Sequence, residues 1–478
     1  MMRKRSICWI LVICMILSLL PARPAAAEKE PVQTTGTYGQ LTYAVHDGYV
    51  EITDCDESAT VIRIPSVIDG LPVTQIGHYA FFYCRKLSSV ILSENTEHIG
   101  DGAFGSCDLL TSIDFPDSLR SIGSDAFYSC NSLAAVFIPA ATSTIKESVF
   151  SDCDALQKIQ VDEKNEWYAS KNGVLFTRDG TGLISYPCGR AGSYTVPDGT
   201  VYIESGAFYG AKSLHSIVLP ESLTELRYSV FSGCSMLRSI NIPSQLSSIP
   251  SHTFYDCSAL EYISIPETVT EIGQYAFFRS SLKEIILPPT LKSIDGYAFA
   301  KCNGLTSVRI PDSVEEYWDG AFSGCQSLLA IEVSEQHPYF CSIDGVLFDK
   351  QRTALMQYPA GKTGSYTVPD GVQTINYFAF EGCNGLVSIY IPDSVEEVRA
   401  YAFEECQSLL AIEVTEQNPY FCSIDGVLFN KQCTTLMKYP IGKTGSYAVP
   451  DGVQMMSFDA FDMCTTLCAS YFIFSIYY

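Results

Sequence analysis

Residues 107–127 read CDLLTSIDFPDSLRSIGSDAF, and this stretch decides the fold. It closes on an Ala-Phe pair, and its final Phe returns at regular intervals along the chain. Most steps between these marks are 23 residues long, one is 22 and three are 58. A fixed period between 20 and 50 residues is typical of a solenoid. The thirteen marks are Phe81, Phe104, Phe127, Phe150, Phe208, Phe231, Phe254, Phe277, Phe299, Phe322, Phe380, Phe403 and Phe461.

The residue types within one unit predict the path of one coil. Counted from Cys107, apolar residues stand at +6 and +8 and Pro at +9. This alternation predicts a strand with one buried face, which Pro ends because it has no N–H to donate. The later run Ala-Phe-x-x-Cys-x-x-Leu has three- and four-residue spacing, which predicts a short helical turn with its apolar side inward. Because one coil cannot bury its own apolar face, the coils must stack.

The N-terminal residues have the features of a secretory signal peptide. Arg3, Lys4 and Arg5 precede an apolar run, and residues 21–27 (PARPAAA) end in small residues suited to cleavage after Ala27. The run is too short and wrongly flanked for a membrane-spanning helix, and no other stretch is apolar enough to be one. We therefore expect residues 1–27 to be removed and the protein to be secreted or held at the cell surface, without a transmembrane segment.

The chain is strongly acidic. Its formal net charge is −23, and removal of the four basic residues within 1–27 leaves −27. Such a surface repels phosphate backbones and anionic lipids, so nucleic acid is disfavoured as a partner. Basic or neutral extracellular proteins, and glycans, remain as the expected partner classes.

Residues 28–80 depart from the repeat. Apolar and polar residues alternate on both sides of Asp47-Gly48, a favourable hairpin turn. Because the first coil of a solenoid has an open edge, we expect this segment to be an N-terminal β cap and lead-in. The solenoid itself then spans residues 81–464.

Residues 465–478 form an atypical aromatic tail that ends in LCASYFIFSIYY. It has no charge and no Pro, so it would expose an aromatic β-edge. Two interpretations remain open: a truncated or frameshifted end, or a contact surface for another molecule.

The three 58-residue steps carry inserts near 161–197, 333–369 and 414–450. Asn172-Gly173, Asp344-Gly345 and Asp425-Gly426 stand between short apolar stretches, so we predict one β-hairpin in each insert. Residues 311–380 and 392–461 match almost throughout at an offset of 81, which indicates an internal duplication.

The unit L-x-x-I-x-[IL]-P-x-x-[VL]-x-x-I-x-x-x-A-F-x-x-C resembles the leucine-rich repeats of BspA-like bacterial surface proteins. The similarity covers roughly residues 37–467 and includes the GVLF/YP-type inserts. It implies a right-handed leucine-rich-repeat solenoid of short parallel strands and short helical turns, about thirteen coils of 23 residues with three β-hairpin inserts. It also implies display outside the cell and a link to adhesion and host matrix proteins, with no catalytic motif. Fold alone licenses a weak functional inference.

The most regular polar feature is a column of cysteines three residues after the marks. Secreted cysteines suggest disulfides. Ala211 fills the same place in one coil, however, and stacked thiols point in the same direction rather than at each other. We therefore expect a reduced, buried ladder that suits a small hydrophobe, with disulfides as the alternative. The ladder comprises Cys84, Cys107, Cys130, Cys153, Cys234, Cys257, Cys302, Cys325, Cys383, Cys406 and Cys464.

No catalytic, cofactor-binding or metal-binding residues are predicted. Gly361–Thr363 reads GKT, but the Gly that a phosphate loop needs five residues earlier is Met356. The chain has no Cys-x-x-Cys pair, and its six histidines lack metal-ligand spacing. We therefore expect no enzymatic activity.

The outward position +7 of each strand forms one column on the solenoid. Apolar and aromatic residues recur in it among small polar ones, which is typical of a partner-binding face. Singly exposed apolar residues are also normal on protein surfaces, and that interpretation stays open. The candidate binding face comprises Ile91, Phe137, Val218, Ile286, Arg309 and Tyr390.

Together these features predict a secreted, non-enzymatic leucine-rich-repeat protein that binds proteins or glycans at the cell exterior, as in bacterial adhesion to host matrix. The alternative is an envelope-associated scaffold without a specific host ligand. The sequence does not fix the oligomeric state.

Overall fold

The computed structural model describes residues 34–464, so the predicted signal peptide (1–27) and the aromatic tail (465–478) lie outside the described residues. The described chain winds into stacked coils, most of which add a strand to each of two parallel ladders. The predicted solenoid class, with its short parallel strands and hairpin inserts, is confirmed.

The front ladder is formed by the strand that follows the Leu at +3 of each unit, and its strands pair in parallel within five separate sheets. Residues 261–265 and 283–287 take the same place in two adjacent coils without strand pairing, so the ladder is interrupted there. The front-ladder strands are Val61–Arg63, Ser89–Ile91, Ile113–Asp114, Ala135–Ile138, Lys158–Val161, Gly192–Thr195, Leu214–Val218, Ser239–Ile240, Ser307–Ile310, Ala330–Val333, Gly364–Thr367, Leu386–Ile391 and Ala411–Val414.

The back ladder is formed by the short strand that precedes each marked Phe, and it is also parallel. Its strands are Leu71–Ile76, His98–Ile99, Ser121–Ile122, Thr144–Ile145, Tyr202–Ile203, Glu225–Leu226, Ser248–Ile249, Glu271–Ile272, Ser293–Ile294, Glu316–Tyr317, Thr374–Ile375, Glu397–Val398 and Met455–Met456.

The N-terminal part of the described chain is antiparallel. Thr34–Tyr38 pairs with Leu41–Val45, which pairs with Val50–Cys55. The last of these strands pairs in parallel with Leu71–Ile76 and so leads into the back ladder. Val67–Ile68 adds a short antiparallel pair to Leu71–Ile76.

The predicted helical turns are wrong: no helix occurs in residues 34–464. We define the turn edge as the five residues centred on each marked Phe. In the first coil the N–H groups of Tyr79, Phe81 and Tyr83 donate to carbonyls of the next coil at 2.7–3.0 Å, whereas that of Phe82 donates to the Tyr79 carbonyl at 3.0 Å. A helix would send every N–H to the carbonyl four residues earlier. Here alternate N–H groups build a third ladder between coils.

Two backbone sites on the turn edge adopt left-handed conformations. They lie two residues before and two after the marked Phe, as in Tyr79 (φ 60°) and Tyr83 (φ 63°). These two sites reverse the direction of the chain within each turn. As a result Ala, Phe, Cys and Leu point inward with the same three- and four-residue spacing as in a helix. The inward direction was predicted correctly, but the backbone that produces it was not.

The marked phenylalanines form an interior column whose rings stack in runs between the inserts. The ring centroids of Phe81 and Phe104 are 4.8 Å apart, and those of Phe127 and Phe150 are 5.5 Å apart. Because the distance between coils matches the distance between stacked aromatic rings, the same residue type can fill this interior position in successive coils.

Each insert is a three-stranded antiparallel unit whose third strand pairs in parallel with the next back-ladder strand. Hence the hairpins are confirmed, with one further strand in each. The nine strands are Tyr168–Lys171, Val174–Thr177, Gly182–Ser185, Phe340–Ile343, Val346–Asp349, Ala354–Gln357, Phe421–Ile424, Val427–Asn430 and Thr435–Lys438.

The thirteen marked phenylalanines do not account for every ring of the interior column, because each insert adds one ring to it. Tyr186 is 4.7 Å from Phe208 between ring centroids, and its N–H donates to the Ala207 carbonyl as a marked Phe would. Tyr358 and Tyr439 occupy the same place in the other inserts. The inserts are therefore built into the core rather than attached to its surface.

Candidate binding surface

Five residues of the candidate binding face lie in front-ladder strands, and Ile286 takes the same outward place in the interrupted part of the ladder. Residues before and after them on each strand point inward, as in Val136 and Ile138 on either side of Phe137. The apolar members are exposed by 42% to 74%, and Arg309 is also exposed. The structure thus places Ile91, Phe137, Val218, Ile286, Arg309 and Tyr390 on one face, while their binding role stays a prediction.

Polar residues fill the column between these six. Phe137 stands opposite Gln160, and Tyr390 stands between Thr367 and Glu413. Asn241 uses its amide to accept from the N–H of Leu219 and to donate to the Leu219 carbonyl, each at 2.8 Å. This side chain bridges the strand junction next to the interrupted part of the ladder.

A cleft of about 410 Å³ opens beside Phe137, between the front ladder and the first insert. Lys158, Gln160 and Arg190 contribute its polar groups. The Arg190 guanidinium donates to the carbonyls of Gln157 and Asn172 at 2.9 and 2.6 Å, which fixes it at the cleft wall. Lys158 pairs with Ala135 in the ladder register, so the cleft is continuous with the front column. It places positive charge on an otherwise acidic protein.

The turn edge carries an aromatic row that sequence analysis missed. Tyr275 stacks on Tyr297 at 5.0 Å between ring centroids, Tyr297 meets Phe378 at 5.3 Å, and Phe378 stacks on Tyr401 at 5.4 Å. All four have positive φ, a conformation that bulky side chains rarely adopt. The sequence does contain these aromatic residues two positions before the marked Phe, but the repeat pattern treats that position as variable.

Glu381 lies on the turn edge and is buried. Its Oε2 has no hydrogen-bond partner among the described residues, and burial raises the pKa of the carboxyl to about 7. Glu404 and Glu405 raise this pKa further, whereas Ser323 and Lys301 lower it. The group therefore changes charge near neutral pH and makes the turn edge sensitive to pH.

Ten of the eleven ladder cysteines are buried, Cys464 is half-buried, and all are free thiols in the structure. The Sγ of Cys130 lies 3.1 Å from the Phe104 carbonyl oxygen, and Cys107 and Cys153 contact the preceding marked Phe in the same way. These thiols therefore donate to the coil before them, whereas that of Cys464 lies 3.7 Å from the Asp462 carbonyl oxygen in its own turn. Burial raises the pKa of most of these thiols, to about 12 for Cys302, whereas a hydrogen bond with Cys55 lowers the pKa of Cys84. The thiols with a raised pKa are weak nucleophiles in the folded protein.

Two polar features could be mistaken for reactive sites. A groove of about 170 Å³ on the back ladder contains His78, Asp101 and Lys146, but Asp101 already contacts Lys146 Nζ at 3.1 Å and His78 Nδ1 at 3.3 Å. The N–H of Gly361, in the GKT sequence, donates to the Leu328 carbonyl and is not directed at a ligand. Among residues 34–464, no three His, Cys, Asp or Glu side chains are grouped so as to hold a metal ion.

A comparison with protein families identifies the repeat. The model for the BspA type leucine rich repeat region matches in six copies, over residues 59–171, 185–305, 247–350 and 358–472. The chain belongs to the BspA-type leucine-rich-repeat family. The resemblance drawn from the spacing of the marks is thereby confirmed.

Two solved structures of bacterial leucine-rich-repeat proteins are similar to this chain. One from Eubacterium ventriosum is 22% identical, with 60% of this chain and 92% of that chain covered and a TM-score of 0.46. A leucine rich cell surface protein from Faecalibacterium prausnitzii is also 22% identical, with 92% and 88% covered and a TM-score of 0.40. No curated protein matches the chain. Within the described part of the chain, no helix is long and apolar enough to cross a membrane.

Proposed function

We propose that this BspA-type protein acts outside the cell as a non-enzymatic binding protein, and that its front column recognises a protein or glycan partner. The observation that carries this proposal is the alignment of five exposed apolar side chains on one ladder face. Exposed aromatic and apolar side chains set among polar ones on one face are typical of binding surfaces.

The location outside the cell is supported by two features. One is the basic, then apolar, then small-residue order of positions 1–27. The other is the family, in which the similar protein of F. prausnitzii is described as a cell surface protein. Adhesion to host matrix is the specific role that we propose for the front column.

The N-terminal half of the column supplies the most complete contact surface. Phe137 offers an apolar ring that is 49% exposed, and the neighbouring cleft offers the cations of Lys158 and Arg190. An aromatic anchor beside fixed cations suits a partner with an apolar group next to a carboxylate or sulfate. Acidic matrix glycans and acidic protein segments both have this chemistry.

The test is a binding screen with the mature chain against immobilised matrix proteins and a printed glycan panel. We expect binding at micromolar concentration to at least one member, and a loss of tenfold or more in the double variant Phe137→Ser/Tyr390→Ser. The matched control is Tyr228→Ser, which removes an aromatic ring of 60% exposure outside the front ladder. Its affinity should equal that of the wild type.

Absence of binding to every member of the panel would contradict the proposal and favour the envelope scaffold. Equal losses in the double variant and in Tyr228→Ser would show that the front column is not the binding surface.

A further inference from the structure

The third insert brings two cysteines together outside the ladder. The Sγ atoms of Cys422 and Cys433 are 2.8 Å apart, although the residues are 11 positions apart in the chain. A disulfide bond is about 2.0 Å long, so the two sulfur atoms lie within about 1 Å of bonding distance. Both residues are half-buried and therefore reachable by small molecules from solvent.

The local backbone holds this approach. Cys422 lies on the first strand of the insert, and Cys433 lies in the bend before the third strand, with φ 54°. The bend is fixed by Asn430, whose side-chain oxygen accepts from the N–H groups of Thr434 and Thr435 at 2.8 Å each. The two thiols are thus presented by rigid elements rather than by a loose loop.

The second insert provides a natural comparison because it is the duplicate 81 residues earlier. Cys341 corresponds to Cys422, and both thiols lie 3.2 Å from a carbonyl oxygen of the facing strand. The position of Cys433 is taken by Arg352, which has the same left-handed backbone (φ 62°). The fold of the insert therefore does not require a cysteine there, and the pair is peculiar to the third insert.

The ladder cysteines differ in direction. The Sγ atoms of Cys406 and Cys234 lie 3.0 and 3.2 Å from carbonyl oxygens of the preceding coil. Ten of the eleven ladder cysteines are buried, which slows exchange with external disulfides. Cys422 and Cys433, in contrast, form a convergent and half-buried pair.

We propose that Cys422 and Cys433 form a disulfide in the exported protein, while the ladder cysteines stay reduced. The oxidant is a small disulfide, RSSR. One thiolate attacks RSSR and releases RSH, and the other then displaces the second RS group from the mixed disulfide. The balance is two protein thiols and RSSR giving one protein disulfide and two RSH.

The bond would tie the bend at Cys433 to the first strand of the third insert. The buried cluster of this insert comprises Val427, Phe429, Leu436, Tyr439 and Ala460. Oxidation would therefore brace the strands that surround this small cluster, in a compartment where disulfides persist.

The test exposes the folded mature chain to oxidised glutathione, then denatures it and alkylates its thiols with and without prior reduction. We expect two fewer reactive thiols without reduction, and a peptide that links Cys422 to Cys433 by mass spectrometry. Cleavage by trypsin at Lys431, which lies between the two, should leave the fragments joined until a reductant is added. Cys341 serves as the control within the same molecule and should remain alkylated.

The control variant is Cys433→Arg, which restores the residue of the duplicate insert and should fold. It should keep every thiol reactive after the same treatment. An unchanged thiol count in the wild type, or a linked peptide that joins ladder cysteines, would overturn the proposal. Because the oxidant is supplied directly, this outcome is independent of whether the front column binds a partner.

Discussion

Phe127 and Phe137 are the same residue type ten positions apart in one coil, yet they belong to two different parts of the molecule. Phe127 is fully buried, with its ring centroid 5.3 Å from that of Phe104 and 5.5 Å from that of Phe150. Phe137 is 49% exposed and stands opposite Gln160.

The two columns that contain these residues differ in uniformity. The interior column has an aromatic ring at every level because each ring must fit the level above and below it. The front column varies from Ile91 to Asp114 in adjacent coils, because outward side chains do not constrain the stacking. Positions that are the same in every coil therefore indicate the fold, whereas outward positions that vary between coils are candidates for binding a partner.

The largest expected effect is the loss of an interior ring. Phe127→Ala should lower the free energy of unfolding by about 3–5 kcal/mol, because it leaves a cavity between two stacked rings. Phe137→Ala should change it by less than about 0.5 kcal/mol, since the ring is on the surface. Urea unfolding monitored by circular dichroism measures both, and equal losses would mean that the two columns are not distinct.

The next effect tests whether the inserts are part of the interior column. Tyr186→Ala should cost about 3 kcal/mol, because Tyr186 is fully buried against Phe208. Trp167→Ala removes a half-exposed ring from the start of the same insert and is the matched control. A cost below 1 kcal/mol for Tyr186→Ala would show that the insert is only appended to the solenoid.

A third prediction concerns the buried carboxyl that interrupts the apolar interior pattern. The pKa of Glu381 is raised to about 7 from an ordinary value of 4.5, so the folded state holds a proton that the unfolded state releases. The stability contribution is complete below pH 4.5 and is lost as pH rises through 7. Glu381→Gln should therefore be more stable than the wild type at pH 8, by about 3 kcal/mol.

Below about pH 4.5 the difference between Glu381→Gln and the wild type should vanish, because both side chains are then neutral. Thermal denaturation at a series of pH values measures it. Parallel stability curves for the two proteins would contradict the assigned protonation.

The smallest effect concerns the cysteine ladder. Cys130→Ala should cost about 1 kcal/mol, because it removes one buried thiol and its weak bond to the Phe104 carbonyl. Ala211 and Ser280 already occupy the same position in two other coils, and Ser280 Oγ lies 3.3 Å from Cys302 Sγ. A loss above 3 kcal/mol would indicate a role beyond filling space.

The period of the marks was enough to predict the stack, the buried columns and the hairpins, because each follows from a repeated apolar spacing. The helical turns were wrong for a physical reason. A turn with left-handed residues at both ends, such as Tyr79 and Tyr83, directs side chains inward at the same three- and four-residue spacing as a helix. Spacing alone does not reveal where the N–H groups point.

Other features needed the folded backbone. Tyr186 joins the phenylalanine column without an Ala-Phe mark, so the repeat pattern does not reveal it. The approach of Cys422 to Cys433 depends on the geometry of one bend. The candidate binding face could be placed from sequence, because position +7 of a strand must point outward, whereas its partner is not encoded in that spacing.

The most direct test of the account is hydroxyl-radical footprinting of the mature chain, alone and with the matrix protein or glycan that binds it. We predict that oxidation of Ile91, Phe137 and Tyr390 falls when the partner is bound, while oxidation of Tyr79 and Tyr228 stays unchanged. Protection of Tyr79 and Tyr228 with the front column still reactive would contradict the claim that the variable outward column is the recognition surface.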